Sequence, residues 1–311
     1  MPGAVIHMWG IDGKPSSISP GCVALYWFLN GDYARETNRQ TIEISFTNNT
    51  DLSPEKELPV LIYNDGEKIS GFVNIINCLA KNEKPSSDAA TLLRNALLQF
   101  TNTELTVLTE YQLYLNKHNY ETYTRYVFTQ LLYWPMWYNT PMHYRAEARE
   151  RCSGMLEYST HEDDPDFVEP NITWPQEPSD LAQSKAFKVT QEKKKISKEE
   201  LQNVKQNLVF LNKLSECLRM WIQIRERSLS EKIIPADLLM WANIYVQLQL
   251  PNADKISNHL AQALGSEIFN SLKSQLKVCC ALDPLIPQRE PTFQEQGNAV
   301  MAVFNGVRRY I

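Results

Sequence analysis

No part of the chain reaches the ~18 consecutive apolar residues that a membrane-crossing helix needs, so any work at a membrane is expected from its surface. Cysteine is sparse, with six at positions 22, 78, 152, 217, 279 and 280 and no CxxC pair. The neighbours Cys279 and Cys280 cannot join in a relaxed disulfide, and the thiols read as buried and reduced. The sequons at Asn48-Asn49-Thr50 and Asn171-Ile172-Thr173 then read as chance matches. The five histidines lack HxxxH or HExxH spacing, so no metal or other cofactor is expected. Glycine is scarce too, with eleven residues. No P-loop, GxSxG or dinucleotide fingerprint is present, and Gly10-Ile11-Asp12-Gly13-Lys14 reads as a surface turn. Basic residues are not in excess: 31 Lys and Arg stand against 36 Asp and Glu. That balance argues against nucleic acid as a partner.

What is present is an ordinary globular composition, 43% hydrophobic and 22% charged over 311 residues, enough for about two domains. Ala4–Trp9 is a strand-like apolar run without the Arg-rich flank of a targeting leader. Ser19-Pro20 is a helix start, Ser as N-cap and Pro at the first helical position. The helix over Cys22–Leu29 is apolar nearly all round and should be buried. Thr41–Phe46 alternates like a half-buried strand. Val60–Tyr63 and Lys68-Ile69, joined by Asn64-Asp65-Gly66, read as a hairpin. Ser70 is placed to cap a helix carrying Phe72, Val73, Ile75, Ile76 and Leu79.

After residue 84 only helical periodicity remains. Leu92, Leu93, Ala96, Leu97 and Phe100 open it, and Pro135 and Pro141 are expected to bend or stop helices. Residues 157–169 carry six acids and no Lys or Arg; residues 185–198 carry six Lys and one Glu. An acidic and then basic loop insert is therefore expected at about residues 157–197. Ser197-x-x-Glu200 reads as a capping box starting a helix with Leu201, Val204, Leu208, Leu211, Leu214, Leu218 and Trp221 or Ile222 on one stripe, which either faces the core or forms an interface. Pro235 opens a further helix, Pro251 ends it, and Gly265 marks a break. Val300, Val303, Phe304, Val307 and Ile311 form a last stripe.

One strand–helix–strand–hairpin–helix unit followed by helices is similar to the glutathione-transferase-like layout. That likeness implies an α+β class, with a thioredoxin-like domain expected over residues 1–82 and a helical domain over residues 83–311. Leu58-Pro59 before a strand resembles the structural cis-proline of that layout, with Pro59 in its place. The blocks Met8-Trp9-Gly10, Asn48–Ser53, Leu58–Leu61, Ser70–Ile75, Pro135–Pro141, Leu181–Lys185, Tyr245–Leu248 and Glu295–Asn298 together resemble the fungal metaxin-like subunits of the mitochondrial sorting and assembly machinery. The resemblance runs almost end to end. It implies a peripheral subunit on the cytosolic face of the mitochondrial outer membrane. The partners it implies are a second metaxin-like subunit, an Omp85-type β-barrel subunit, an outer-membrane translocase receptor and, in passing, β-barrel precursors. It implies support of precursor release and membrane insertion, and coupling to the translocase.

Chemistry of the residues bears on the rival reading, a glutathione-dependent transferase or thiol enzyme. Ser19-Pro20-Gly21-Cys22 resembles a C-P-x-C motif whose first Cys is Ser, and the Ser that would hold the glutathione carboxylate is displaced at Ser70-Gly71. No catalytic residue is expected. A glutathione-transferase-like scaffold in a cytosolic complex is the third reading. The binding residues expected are Tyr133, Trp134, Met136 and Trp137, which either fill the core or anchor a partner. Lys193, Lys194 and Lys195 are either a solvated patch or a contact to an acidic receptor. Val300, Phe304 and Val307 pack internally, in a partner groove, or at the headgroup boundary.

Overall fold

The strands of the first half meet in the apolar core, where Ile6, Ile44 and Leu61 are fully buried. In the computed structural model, which describes residues 3–31, 42–80, 89–156, 185–227 and 233–296, Ile6 of β1 (Ala4–His7) lies in register with Ile44 of β4 (Ile42–Ser45) and Leu61 of β5 (Val60–Tyr63). The β1–β4 pair is parallel; β5 and β6 (Lys68–Ser70) continue antiparallel on the other side. A parallel pair needs a crossover, and α1 (Pro20–Asn30) supplies it. Ahead of α1, β2 (Gly10–Ile11) and β3 (Lys14–Pro15) make a two-residue hairpin. Its Asp12 and Gly13 both sit at positive φ, as a tight turn requires.

The start of α1 is local chemistry. Ser19 Oγ accepts from Cys22 N at 3.3 Å, and Pro20 holds the first helical position. Before α2 (Phe72–Ala80) the expected cap is not used. The Ser70 hydroxyl is bonded to Ser53 Oγ at 2.7 Å, and Gly71, at φ +81°, turns the chain into the helix. The Leu58–Pro59 peptide is cis, as is Trp134–Pro135.

The second half is helical: α3 (Ala89–Phe100), α4 (Thr106–Glu110), α5 (Lys117–Asn119), α6 (Arg125–Leu131), α7 (Met136–Leu156), α8 (Lys185–Arg227), α9 (Pro235–Leu248), α10 (Ala253–Leu264) and α11 (Ser266–Cys280). Trp27 of α1 meets Tyr245 of α9 edge to face at 5.6 Å. Wider π-type turns at Thr101–Leu105, Tyr111–Leu115 and Tyr120–Thr124 interrupt the α3–α6 run. Threonine hydroxyls compete for carbonyls there: Thr101 donates to Leu97 O at 2.7 Å and Thr124 to Leu113 O at 2.6 Å. Thr101 also accepts from Trp221 Nε1 at 2.9 Å, which ties α8 to the bend.

Three sequence expectations are corrected here. Pro141 does not end α7 but sits inside it; so near the helix start it removes a single bond, to the Trp137 carbonyl. The segment from Lys185 onward is helix rather than part of a loop, and Ser197 lies within α8 rather than at its start. Lys, Glu, Gln and Ala are strong helix formers, and their summed propensity carries the helix through the Lys run. The stripe on α8 divides: Phe210, Leu214, Leu218 and Trp221 are buried, whereas Leu201, Val204 and Leu208 are 73%, 67% and 57% exposed. At that end Asn116 Nδ2 reaches Asn207 Oδ1 at 3.0 Å, while these apolar side chains stay in solvent.

A feature with no counterpart in the sequence reading closes the sheet. After α11 the chain returns, and β7 (Gln288–Arg289) pairs in parallel with β4, Ile44 opposite Gln288. Asn30 at the end of α1 receives it: its Oδ1 accepts from Leu285 N at 2.7 Å and Ile286 N at 3.1 Å.

Candidate partner-binding surface

The α6–α7 corner sorts its aromatic block by depth. Helix α6 stops at Leu131, and Leu132 turns extended while its N–H still reaches Phe128 O at 3.0 Å. Phe128, Leu131 and Leu132 point into the core. Met136 and Trp137 are partly buried and pack on that core. Tyr133, Trp134 and Tyr138 are left 65%, 71% and 49% exposed. The corner is held open by backbone bonds: Trp137 N donates to Tyr133 O at 3.2 Å, and Tyr138 and Asn139 N donate to Pro135 O. Trp137 meets Tyr138 edge to face at 6.2 Å, and the Arg125 guanidinium lies 6.0 Å from the Tyr138 ring.

Tyr126 is a further exposed ring, on α6, its hydroxyl accepting from Gln130 Nε2 at 2.9 Å. A cluster of exposed rings with cationic and amide neighbours is the composition of interface centres. The remaining candidates are placed differently. Lys193, Lys194 and Lys195 lie on the backbone of α8, their side chains outside the described residues; Val300, Phe304 and Val307 also fall outside them.

A cleft of about 470 Å³ includes Ser19, Gly21, Pro59, Ser70 and Gly71 in its lining. This is where thiol or glutathione chemistry would sit. Cys22 does not reach it. Its thiol is fully buried, accepts from Trp9 N at 3.4 Å, and is pushed up to about 12 by burial. A thiol so hard to ionise is a poor nucleophile. Ser19 is occupied as the α1 cap and lies 3.4 Å from Leu58 O, and Ser70 is committed to Ser53. Glu110 borders the cleft and bonds Arg151 Nη1 at 2.6 Å. Its carboxyl is nevertheless raised to about 7, because burial, with help from Glu57 and Glu147, outweighs the arginine. No helix among the described residues is long and apolar enough to cross a membrane.

Residues 22–145 match the family model described as outer mitochondrial membrane transport complex protein, Tom37. Residues 161–310 match that of the Tom37 C-terminal domain. No curated protein matches the chain.

Proposed function

The chain belongs to the Tom37 family of outer mitochondrial membrane transport complex proteins, and from that premise we propose how it serves there: as a non-enzymatic, peripheral subunit that holds a β-barrel assembly complex together. It is a component of a transport complex of that membrane. The single observation that carries the rest is the exposed Tyr133–Trp134–Tyr138 corner, built on a rigid core by Phe128 and Leu132. In a chain that forms complexes, such a surface is where a partner's apolar atoms are buried.

In this reading the corner meets a second metaxin-like subunit or the Omp85-type barrel subunit. The Lys193–Lys195 run and the segment carrying Val300, Phe304 and Val307 serve the looser contacts to a translocase receptor and the membrane surface. Release and insertion of β-barrel precursors, and coupling to the translocase, follow from holding these parts together rather than from a reaction. The strand order β6–β5–β1–β4, with α1 as crossover and cis Pro59 before the hairpin, supports reading the first eighty or so residues as thioredoxin-like within a glutathione-transferase-like whole. The buried Cys22 supports reading that fold as a scaffold rather than an enzyme.

Affinity purification from mitochondria in mild detergent, with identification of what is retained, tests the proposal. A β-barrel membrane protein and a metaxin-like subunit should co-purify, and alkaline carbonate should release at least part of the chain from membranes. Retention on immobilised glutathione with conjugating activity, or co-purification with ribosomes alone, would overturn it.

A further inference from the structure

The apolar stripe of α8 has a helix beside it along its later half. His259 Nε2 of α10 lies 3.4 Å from Ser215 Oγ, and Arg219 Nη2 donates to Ala263 O at 2.7 Å. Both pairs are 44 residues apart, so α10 and α8 run side by side in the same direction. The same offset sets Leu208 level with Asn252, the residue before α10 begins. Leu208, Val204 and Leu201 therefore continue the stripe beyond the start of α10, and all three side chains are exposed. Leu211, the next member, is half-buried and packs on the core.

The spacing of the stripe says what kind of element fits it. Leu201, Val204, Leu208 and Leu211 recur at steps of three, four and three, the a/d spacing that seats a second helix. Charge says which helix. Residues 185–208, all within α8, carry seven Lys against three Glu, in a chain whose net charge is −5. Lys205, beside Val204, is exposed. The chain's own last stripe, with Val300, Phe304 and Val307, comes with Arg308 and Arg309 and no acid between residues 297 and 311. A second copy of α8 would bring the same lysines. Like charges along paired helices work against both of these occupants. A helix with acidic flanks is the complement.

We propose that the exposed end of this stripe binds an amphipathic helix with acidic flanks, supplied by another protein. The inference rests on reading the chain as an assembly subunit, and it gives that subunit a second docking surface, apart from the aromatic corner. The lysines draw the acidic flanks in, and Leu201, Val204 and Leu208 bury the partner's apolar stripe. The partner takes up the line along α8 that α10 leaves free.

The test uses the purified full chain and a dye-labelled peptide of three Glu-Ile-Ala-Ala-Leu-Glu-Gln repeats, read by fluorescence anisotropy. Binding is measured without mitochondria, so its outcome is separate from what co-purifies with the chain. The peptide should bind. A scrambled peptide of equal composition, and a counterpart with Lys for Glu, should not compete. Leu201→Ser, Val204→Ser and Leu208→Ser together should weaken binding by about tenfold or more, and Leu201→Ser alone by about threefold. Leu92→Ser, Val278→Ser and Phe293→Ser, at exposed apolar positions elsewhere, should together leave it within about twofold. Equal competition by the scrambled peptide would mean that only charge is read, and would overturn the site. Equal competition by the Lys peptide, equal loss in the two triple variants, or no binding to the parent would also overturn it. Two further results would show a different occupant and overturn the proposal. One is binding that rises about tenfold when residues 297–311 are removed. The other is a parent that light scattering finds dimeric and the Leu201/Val204/Leu208 variant monomeric.

Discussion

Arg289 holds Glu295 by both arms of its guanidinium, Nη1 to Oε2 at 2.8 Å and Nη2 to Oε1 at 2.5 Å. The pair pins the returning C-terminal segment beside β4, where Arg289 Nε also lies 3.4 Å from Glu43. Burial alone would raise Glu295. The bonds from Arg289 and Thr292 outweigh it and hold the carboxyl at about 2. Its contribution is therefore complete above the ordinary carboxylate range near 4.5 and is lost as pH falls toward 2. Glu295→Gln should cost about 1–3 kcal/mol at neutral pH. Hydrogen exchange should show the amides around β7 losing protection before the central strands do.

Two buried groups make opposite demands on pH. His7 is lowered from 6.5 to about 4, by burial above all. Between those values the unfolded chain binds more protons, so stability rises with pH. Glu110 is raised from 4.5 to about 7, burial again leading. There the folded chain binds more protons, and stability falls as pH rises. The two slopes therefore oppose each other between pH 4.5 and 6.5. Urea titrations should find the stability of Glu110→Gln rising more steeply with pH across that window than that of the parent. Equal slopes in the two proteins would refute the opposition.

Thiol reactivity should follow depth. Cys280 is exposed and Cys78 half-buried, while Cys22, Cys152, Cys217 and Cys279 are buried. Burial pushes those four thiols up to about 12, 12, 11 and 12. Titration with a chromogenic disulfide should show Cys280 reacting first and these four only after denaturation. Rapid reaction of Cys22 in the folded protein would reopen the thiol-enzyme reading.

The outer end of the α8 stripe should be dispensable to the fold. Leu201→Ser, Val204→Ser and Leu208→Ser should each stay within about 0.5 kcal/mol of the parent. Leu214→Ala, at a fully buried position on the same helix, should cost about 2–5 kcal/mol. Chemical denaturation of the four variants decides it.

Local chemistry was readable from sequence. Ser19 and Pro20 start α1, Gly66 turns the β5–β6 hairpin and Gly265 separates α10 from α11, because each acts within a few residues of itself. The strand β7 was not readable. Gln288-Arg289 has no alternation to show, and its pairing depends on Ile44, far away in sequence. Periodicity likewise placed Leu201, Val204, Leu208, Leu214 and Leu218 on one face of a helix. It could not tell that neighbours cover only the later part. The π-type turns were hidden because one extra residue per turn is lost in a pattern of period 3.6. Of the candidate surface, the block Tyr133–Tyr138 was visible as composition. Its division into buried Leu132, half-buried Trp137 and exposed Trp134 depends on how the chain turns between α6 and α7.

Assembly of an imported β-barrel precursor in isolated mitochondria, followed by native gel electrophoresis, tests the central claim most directly. The parent chain is to be compared with Tyr133→Ala/Trp134→Ala and with Cys22→Ser. An interface anchor contributes about 2 kcal/mol or more. The double variant should therefore be present at normal level yet held in the complex at least about tenfold less tightly, with precursor assembly slowed to match. Cys22→Ser should assemble precursors like the parent. Normal assembly in the double variant, or arrested assembly in Cys22→Ser at normal protein level, would contradict the account.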